Sequence, residues 1–540
     1  MGGVLVLLGG LVVSTMPPST PLMHAEVLLD LRGAEAGRMA ALSLVLLGLG
    51  LLAGQWLSLC RHVAVAEGEE RDDALAMVRH ATVVWSAPLV LAPPLFSRDG
   101  WSYAAQGMLT HLGLSPYEHG PAALQGPIVQ AVDERWMETI TPYGPVPLLF
   151  GDLAATQTGN PWLLVIGHRL IALVGLVLLA WAIPRLAAWT GVNPALASAV
   201  VLASPLMLAN GVGGLHNDLL MVGLMAAALV VGVERAWWAG ALLGGVAAAV
   251  KVPGGMVCIA IALASLPVGA RLLPRVRRLA ATAAVSIAGL VGLGIVTGLG
   301  VGWVHGLAVP GTVNTPLSGT TLVGGAFDWT AGLLGVDLAP ATLLHLVRNL
   351  GTLSTVVVVL WVTLRGETGD RTRALHGLAV MTAATVLLGP VVHLWYLLWV
   401  VPFFAVMKLS RVALAGLLAA STVAGLVAPL DSSLHGAYLA IVLGSMLVAS
   451  LVPVLLLTAR ARRRIERIVS AEWLPVGLGG HAQADAREVG VHVEHALDRP
   501  RPGELLGAPP SAGPTQLHGS PGDIEYGIGQ GAGLGVVPGT

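Results

Sequence analysis

The stretch FSRDGWSYAAQGMLTHLGLSPYEHGP, residues 96–121, places a carboxylate beside a cation and several aromatic rings where an apolar run ends. Asp99 follows Arg98, and Trp101 and Tyr103 come directly after. A carboxylate at a membrane surface can act as a general base that takes a proton from an incoming hydroxyl, an effect of about 10²–10⁴ in rate. The competing reading is an Arg–Asp pair that only ends the helix. Tyr117, Trp136 and Tyr143 follow in the same polar stretch, and sugar C–H faces pack on such rings. The same rings would also serve as an ordinary aromatic belt at a bilayer surface.

Two other turns carry chemistry. Gly213-Gly214-Leu215-His216-Asn217-Asp218 puts three polar side chains at a helix start. They can bind a sugar, or Asn217 or Asp218 can cap the helix. His393-Leu394-Trp395-Tyr396, with Trp399 beyond, is a second aromatic turn with a histidine. Cations inside apolar runs cost about 2.5–3.5 kcal/mol each on insertion scales, so Arg169, Lys251 and Arg348 need a reason. Stabilising charge on a leaving phosphate would be one; pairing with a nearby carboxylate would be another.

These residues must be positioned by membrane helices. The 540-residue chain is 55% hydrophobic and 11% charged, with a mean hydropathy of +0.78. A soluble protein of this size needs more charge to cover its surface. The net charge of −1 gives no basic field for nucleic acid. Cys60 and Cys258 lie far apart in or beside apolar runs and read as core thiols. There is no phosphate-cradling GxxxxGK[ST] run and no Cys/His cluster for zinc. No cofactor is indicated; a divalent metal is compatible with the sequence but nothing in it asks for one. A lipid-phosphate donor therefore suits the site better than a soluble nucleotide sugar.

The length rule predicts an all-α polytopic membrane protein with about 12–14 apolar segments. Apolar runs begin at 1–16 and 39–59, and 81–96 leads into a large polar region at 97–161. Its turns, such as Thr141-Pro142-Tyr143-Gly144-Pro145, predict an ordered loop with short interfacial helices. Lys251-Val252-Pro253 splits 236–266 into two short helices, which needs protein or a cavity around it. Further runs follow at 279–299, 341–364, 374–392, 395–406, 412–430 and 434–457. Lys and Arg crowd one set of loops, including 271–278 and 460–467, while 300–340 contains neither. That asymmetry predicts that 97–161, 216–218, 300–340 and the His393 turn share the face outside the cytoplasm. Residues 1–469 read as one membrane domain and 470–540 as a disordered cytoplasmic tail.

The 96–121 run, TPYGP at 141–145, GGLHNDLLMVGL, AAAVKVPG and HLWYLLW resemble the polyprenol-phosphate-mannose-dependent α-1,6-mannosyltransferases of actinobacteria, membrane enzymes of the GT-C class. The resemblance covers roughly residues 1–459, and its specific part is the F-S-R-D-x-x-S-Y-A-A-Q-G run. Gly100-Trp101 departs from the family's usual residues there and leaves Asp99 matched. The resemblance implies a GT-C-type bundle in the plasma membrane with its active site outside the cytoplasm. It implies inverting transfer of mannose from polyprenyl-phosphate-mannose to an α-1,6-mannan acceptor of lipomannan type. Asp99 is then the base. Arg98, Lys251, Arg169 and Arg348 are the candidates for the donor phosphate. Trp101, Tyr103, Tyr117, Tyr143, His216, Asn217, Asp218, His393 and Trp395 are the candidates for sugar and acceptor. A GT-C arabinosyltransferase would use the same scaffold. A flippase or transporter would more often show two similar halves, and none is visible.

Overall fold

The computed structural model describes residues 1–66, 70–430, 434–436, 438–455 and 458–475. Among these the chain is built of helices and turns, with an isolated bridge between Ser14 and Leu434. Among the described residues six helices are long and apolar enough to cross a membrane: Glu35–Val65, Pro161–Thr190, Asn217–Glu234, Leu272–Val296, Thr342–Arg365 and Arg411–Leu430. Counting each bent helix pair as one span raises this to eight. Several of the expected segments are too short by themselves for the roughly 20 residues a crossing needs. Gly2–Val13 has 12 residues, and the 395–406 run is a 3₁₀ stretch, Leu394–Trp399, followed by the five-residue helix Val401–Ala405. Trp237–Val250 and Val257–Ala264 are separated at Lys251-Val252-Pro253 as the sequence predicts.

Asn217–Glu234 is the central helix, with 83% of its apolar window buried, whereas Thr342–Arg365 at 11% lies at the periphery. The centre is tight because it is built on small residues. A Cβ added to Gly223 would lie 2.3 Å from the Gly175 carbonyl, so these two helices meet backbone to backbone. The Pro161–Thr190 helix that carries Gly175 has defined ends. Asn160 caps its first turn by accepting from the Trp162 N–H, Pro161 occupies the position that needs no donor, and Gly191 closes it in the left-handed region.

Residues 97–161 are ordered, as expected, and carry the helices Asp99–His111 and Pro145–Ala155. These two pack across Gly107 and Gly151, where an added Cβ on either would sit 2.5 Å from the other's Cα. The 300–340 region also holds a helix, Gly319–Leu333. At the C-terminal end, the helix Ala459–Val469 leads into a short segment that stays with the body. Leu474 is buried there, and Arg411 Nη2 donates to its carbonyl at 3.4 Å. The rest of the expected tail, 476–540, lies outside the described residues.

The Gly107–Gly151 contact fixes the helix that starts at Asp99. Gly107→Val should overpack it by about 1–3 kcal/mol and lower both the thermal midpoint in detergent and the transfer rate. An unchanged midpoint with unchanged transfer would show that the contact does not position the helix.

Candidate active site

Asp99 is the first residue of its helix, and its N–H donates to the Ser97 hydroxyl at 3.1 Å. A carboxylate in the first turn also lies where the helix dipole favours negative charge. Asp99, Ser102, Tyr103 and Gln106 follow the i, i+3, i+4, i+7 spacing and line one cleft. Tyr103 OH donates to Asp99 Oδ2 at 3.4 Å and lies 3.0 Å from Tyr143 OH. Gln106 Oε1 accepts from the Thr141 hydroxyl at 3.0 Å, and Thr141 Oγ1 in turn accepts the Tyr143 N–H at 3.3 Å. The rigid 141–145 turn is thereby hung on the Asp99 helix.

The second wall comes from the turn after a π-helical stretch, Met207–Gly213. Leu215 there has φ 58°, a left-handed conformation that a leucine adopts only when its surroundings demand it. Its side chain sits over Gly100, where an added Cβ would lie 2.7 Å from Leu215 Cδ2. The absence of a side chain at Gly100 is thus what lets the two walls close. His216 follows, fully buried, with Nδ1 3.4 Å from Asp99 Oδ2, within ion-pair reach but outside hydrogen-bond geometry. Its ring stacks on Trp395 at 3.8 Å, and Trp395 stacks on His393 at 4.2 Å. The three rings form one continuous stack beside Asp99.

Asp218 and Lys251 form the floor. Lys251 Nζ donates to Asp218 Oδ1 at 3.0 Å, and Trp399 Nε1 donates to the same oxygen at 2.7 Å. The ammonium lies 4.5 Å from the Tyr396 ring centre, 5.0 Å from Trp399 and 5.3 Å from Tyr143. Such rings favour a cation that has left water. Lys251 is held there by the helix break, since its extended backbone ends Trp237–Val250. Removing one partner of a buried pair strands the other charge, at a cost of about 3–5 kcal/mol.

The cleft and its open mouth together hold about 630 Å³ of empty space. It is lined by Asp99, Tyr103, Tyr143, Lys251, His393 and Trp395 among the predicted residues. Val309 and Val313 from the 300–340 region also reach it. All four regions that the loop charges assigned to one face therefore meet here. Burial by itself would raise the Asp99 carboxyl. The His216 ring at 3.4 Å, with His393 and Lys251 beyond it, outweighs burial and holds the carboxyl below its ordinary range. Burial pushes the His393 imidazole down to about 4, so it is neutral at pH 7.

Other predicted residues lie elsewhere. Arg98 donates to the Ala131 and Val132 carbonyls at 3.0 and 2.9 Å. Arg169 donates to the carbonyls of Val90, Ala92 and Gly213. Arg348 donates to Asn314 Oδ1 and the Val313 carbonyl. None of these three lines the cleft, and each guanidinium is drawn to carbonyl oxygens that would otherwise be short of donors. Of the four expected phosphate contacts only Lys251 lines it. Trp101 is turned away, donating to the Thr15 carbonyl and pairing with Trp162. Tyr117 packs against Gly302. Asn217 and Asp218 occupy the first turn of their helix, and neither caps it. Ser102 and Gln106 went unpredicted, although their spacing from Asp99 was readable. Tyr396 and Trp399 were noted in the sequence without being assigned to the site. Among the described residues no group of three or more His, Cys, Asp or Glu is placed to hold a metal ion.

A family model described as "Alpha-(1->6)-mannopyranosyltransferase, N-terminal domain" matches residues 1–267, and "MptB C-terminal domain" matches 320–459. The chain is 34% identical over 453 residues to alpha-(1->6)-mannopyranosyltransferase A of Mycobacterium tuberculosis, covering 81% of this chain and 84% of the relative. The chain belongs to the α-(1→6)-mannopyranosyltransferase family. A probable alpha-(1->6)-mannopyranosyltransferase of Mycolicibacterium smegmatis is 32% identical, over 79% of this chain and 81% of that one. Alpha-(1->6)-mannopyranosyltransferase B of Corynebacterium glutamicum is 31% identical, over 66% and 64%. No solved structure matches significantly. The family resemblance in the sequence is thus confirmed, and the protein is a multi-pass membrane glycosyltransferase that moves a mannosyl unit from a sugar donor to a glycan acceptor.

In this mannosyltransferase the pH dependence of transfer tests Asp99 as the base. With Asp99 as base, its depressed carboxyl keeps activity flat from pH 7 down to 5 and puts the acid limb below about 4. An acid limb at about pH 5 or above in folded enzyme would contradict Asp99 as the base. Rates are to be normalised to folded enzyme. The His393 value of about 4 lies below its unfolded value of about 6.5, so the unfolded state binds the extra proton and stability is lost as pH falls between them.

Proposed function

We propose that the enzyme transfers mannose from polyprenyl-phosphate-mannose to an α-1,6-mannan acceptor on the extracytoplasmic face of the plasma membrane. The observation that carries this reading is the pairing, in one aromatic cleft, of a loosely held carboxylate and a buried ammonium. The acceptor 6-hydroxyl attacks the anomeric carbon as the bond from that carbon to the phosphate oxygen breaks. Its proton passes to Asp99, and polyprenyl phosphate leaves. A β-linked donor gives an α-mannoside in this single displacement.

An ammonium has three donor directions, and Asp218 and Tyr396 take two of those on Lys251. The third serves the departing phosphate, where charge develops in the transition state. Tyr103, Tyr143 and Trp395 provide faces for the sugar rings. The distribution of Lys and Arg supports the extracytoplasmic assignment, because loops at the opposite end of the helices carry most of them. A polyprenyl chain stays in the bilayer and presents only its phosphosugar to the cleft.

Membranes containing the enzyme, given labelled polyprenyl-phosphate-mannose and a short α-1,6-mannoside, should yield a product one mannose longer with a new α-1,6 linkage. A different new linkage, or preferential use of polyprenyl-phosphate-arabinose or of a nucleotide-linked mannose, would overturn the proposal.

A further inference from the structure

A second cleft, with about 1050 Å³ of empty space including its open mouth, lies between Glu35–Val65, Glu70–Val90 and the basic helix Ala459–Val469. It has no part in the chemistry at Asp99. The Glu35–Val65 helix has 31 residues, about 46 Å, against a hydrocarbon core of about 30 Å. The cleft occupies the last turns of that helix, where the chain reaches the level of the lipid headgroups. Asp99 comes after the other end of Glu70–Val90, so the active-site helix begins beyond that end.

The walls differ in character. Met77, Ala81 and Trp85 repeat every fourth residue and make one apolar strip along Glu70–Val90. Leu59 and Val65 face the cleft from the antiparallel helix. Arg61 and Arg464 supply the charge. Arg464 is held in place, with Nε donating to the Ser58 hydroxyl at 3.1 Å and Nη2 to Gln55 Oε1 at 3.4 Å. Among the described residues no carboxylate pairs with either arginine. Ile468 follows Arg464 by one turn and adds an aliphatic contact to the same face.

We infer that this cleft binds one anionic phospholipid, its headgroup phosphate between Arg61 and Arg464 and an acyl chain along the Met77–Ala81–Trp85 strip. Guanidinium forks match phosphate oxygens in geometry as well as charge. A soluble anion would use the arginines and leave the apolar strip without an occupant. A zwitterionic lipid would use the strip but bring its own cation to the arginines.

The test uses the full-length enzyme in nanodiscs of phosphatidylcholine, with or without phosphatidylglycerol, followed by native mass spectrometry of retained lipid and by thermal melting. The wild type should keep one phosphatidylglycerol through delipidation and melt higher with it. Neither phosphatidylcholine nor inorganic phosphate should do the same. Arg61→Gln and Arg464→Gln should each weaken retention about five-fold, while melting in phosphatidylcholine alone stays as in the wild type. Arg463→Gln, on the same helix but outside the cleft, should leave retention unchanged. Equal retention of the two lipids by the wild type overturns the inference without reference to any variant. So does stabilisation by inorganic phosphate equal to that by phosphatidylglycerol, or a loss in Arg463→Gln equal to that in Arg464→Gln.

Discussion

Two carboxylates lie out of water a few side chains apart, and the site is arranged by how each is compensated. Isolated buried charge is too costly to keep, so each must find donors or cations. Asp218 finds them at one oxygen, with an ammonium at 3.0 Å and an indole N–H at 2.7 Å, while its other oxygen has no hydrogen-bond partner. Asp99 does not. Its neighbours Tyr103 and His216 both stand at 3.4 Å, and it borders an open cleft. The tightly held carboxylate anchors Lys251 and the aromatic floor. The loosely held one remains ionised and able to accept a hydrogen bond from an incoming hydroxyl. In the proposed reaction this asymmetry gives two residues of the same type a structural role and a chemical one.

Such an arrangement requires several distant segments to meet at fixed distances, and the cations outside the cleft help to supply that. Arg169 binds carbonyls on both sides of the junction, Val90 and Ala92 at the exit of one helix and Gly213 at the end of the π-helical turn. It thereby ties the approach to Asp99 to the approach to His216. Arg98 does similar work for the 131–132 segment. Close glycine contacts set the remaining spacing. Gly100 admits Leu215 between the two walls, and the Leu215 backbone accepts an unfavourable conformation to deliver His216.

Much of this was legible in the sequence, for identifiable reasons. Apolar length gave the membrane helices, and Lys251-Val252-Pro253 gave the helix break because proline disfavours the helical conformation of the residue before it and adds no N–H. The loop charges grouped the four segments that meet at the cleft. Asp99, Tyr103, Lys251, His393 and Trp395 could be named because charge beside aromatic residues is conspicuous in an apolar chain. The expected cations that lie away from the cleft share one cause. An arginine inside a membrane protein signals a need for a cation or for a donor, and sequence does not distinguish them. Arg98, Arg169 and Arg348 meet a shortage of donors at helix ends, which only the backbone path reveals. Glycine and proline also divide several apolar runs into helices shorter than a crossing, such as Trp237–Val250 and Val257–Ala264. Ser102 and Gln106 were within reach, because helical spacing from Asp99 selects them.

The central claim is that Asp99 takes the acceptor's proton. Asn keeps the side chain's size and removes its basicity, so the most direct measurement compares Asp99→Asn with wild type for both donor binding and mannosyl transfer in the same membranes. The account predicts transfer reduced by at least about 10²-fold with donor binding and folding retained. Transfer within a few-fold of wild type in a folded Asp99→Asn enzyme would contradict it.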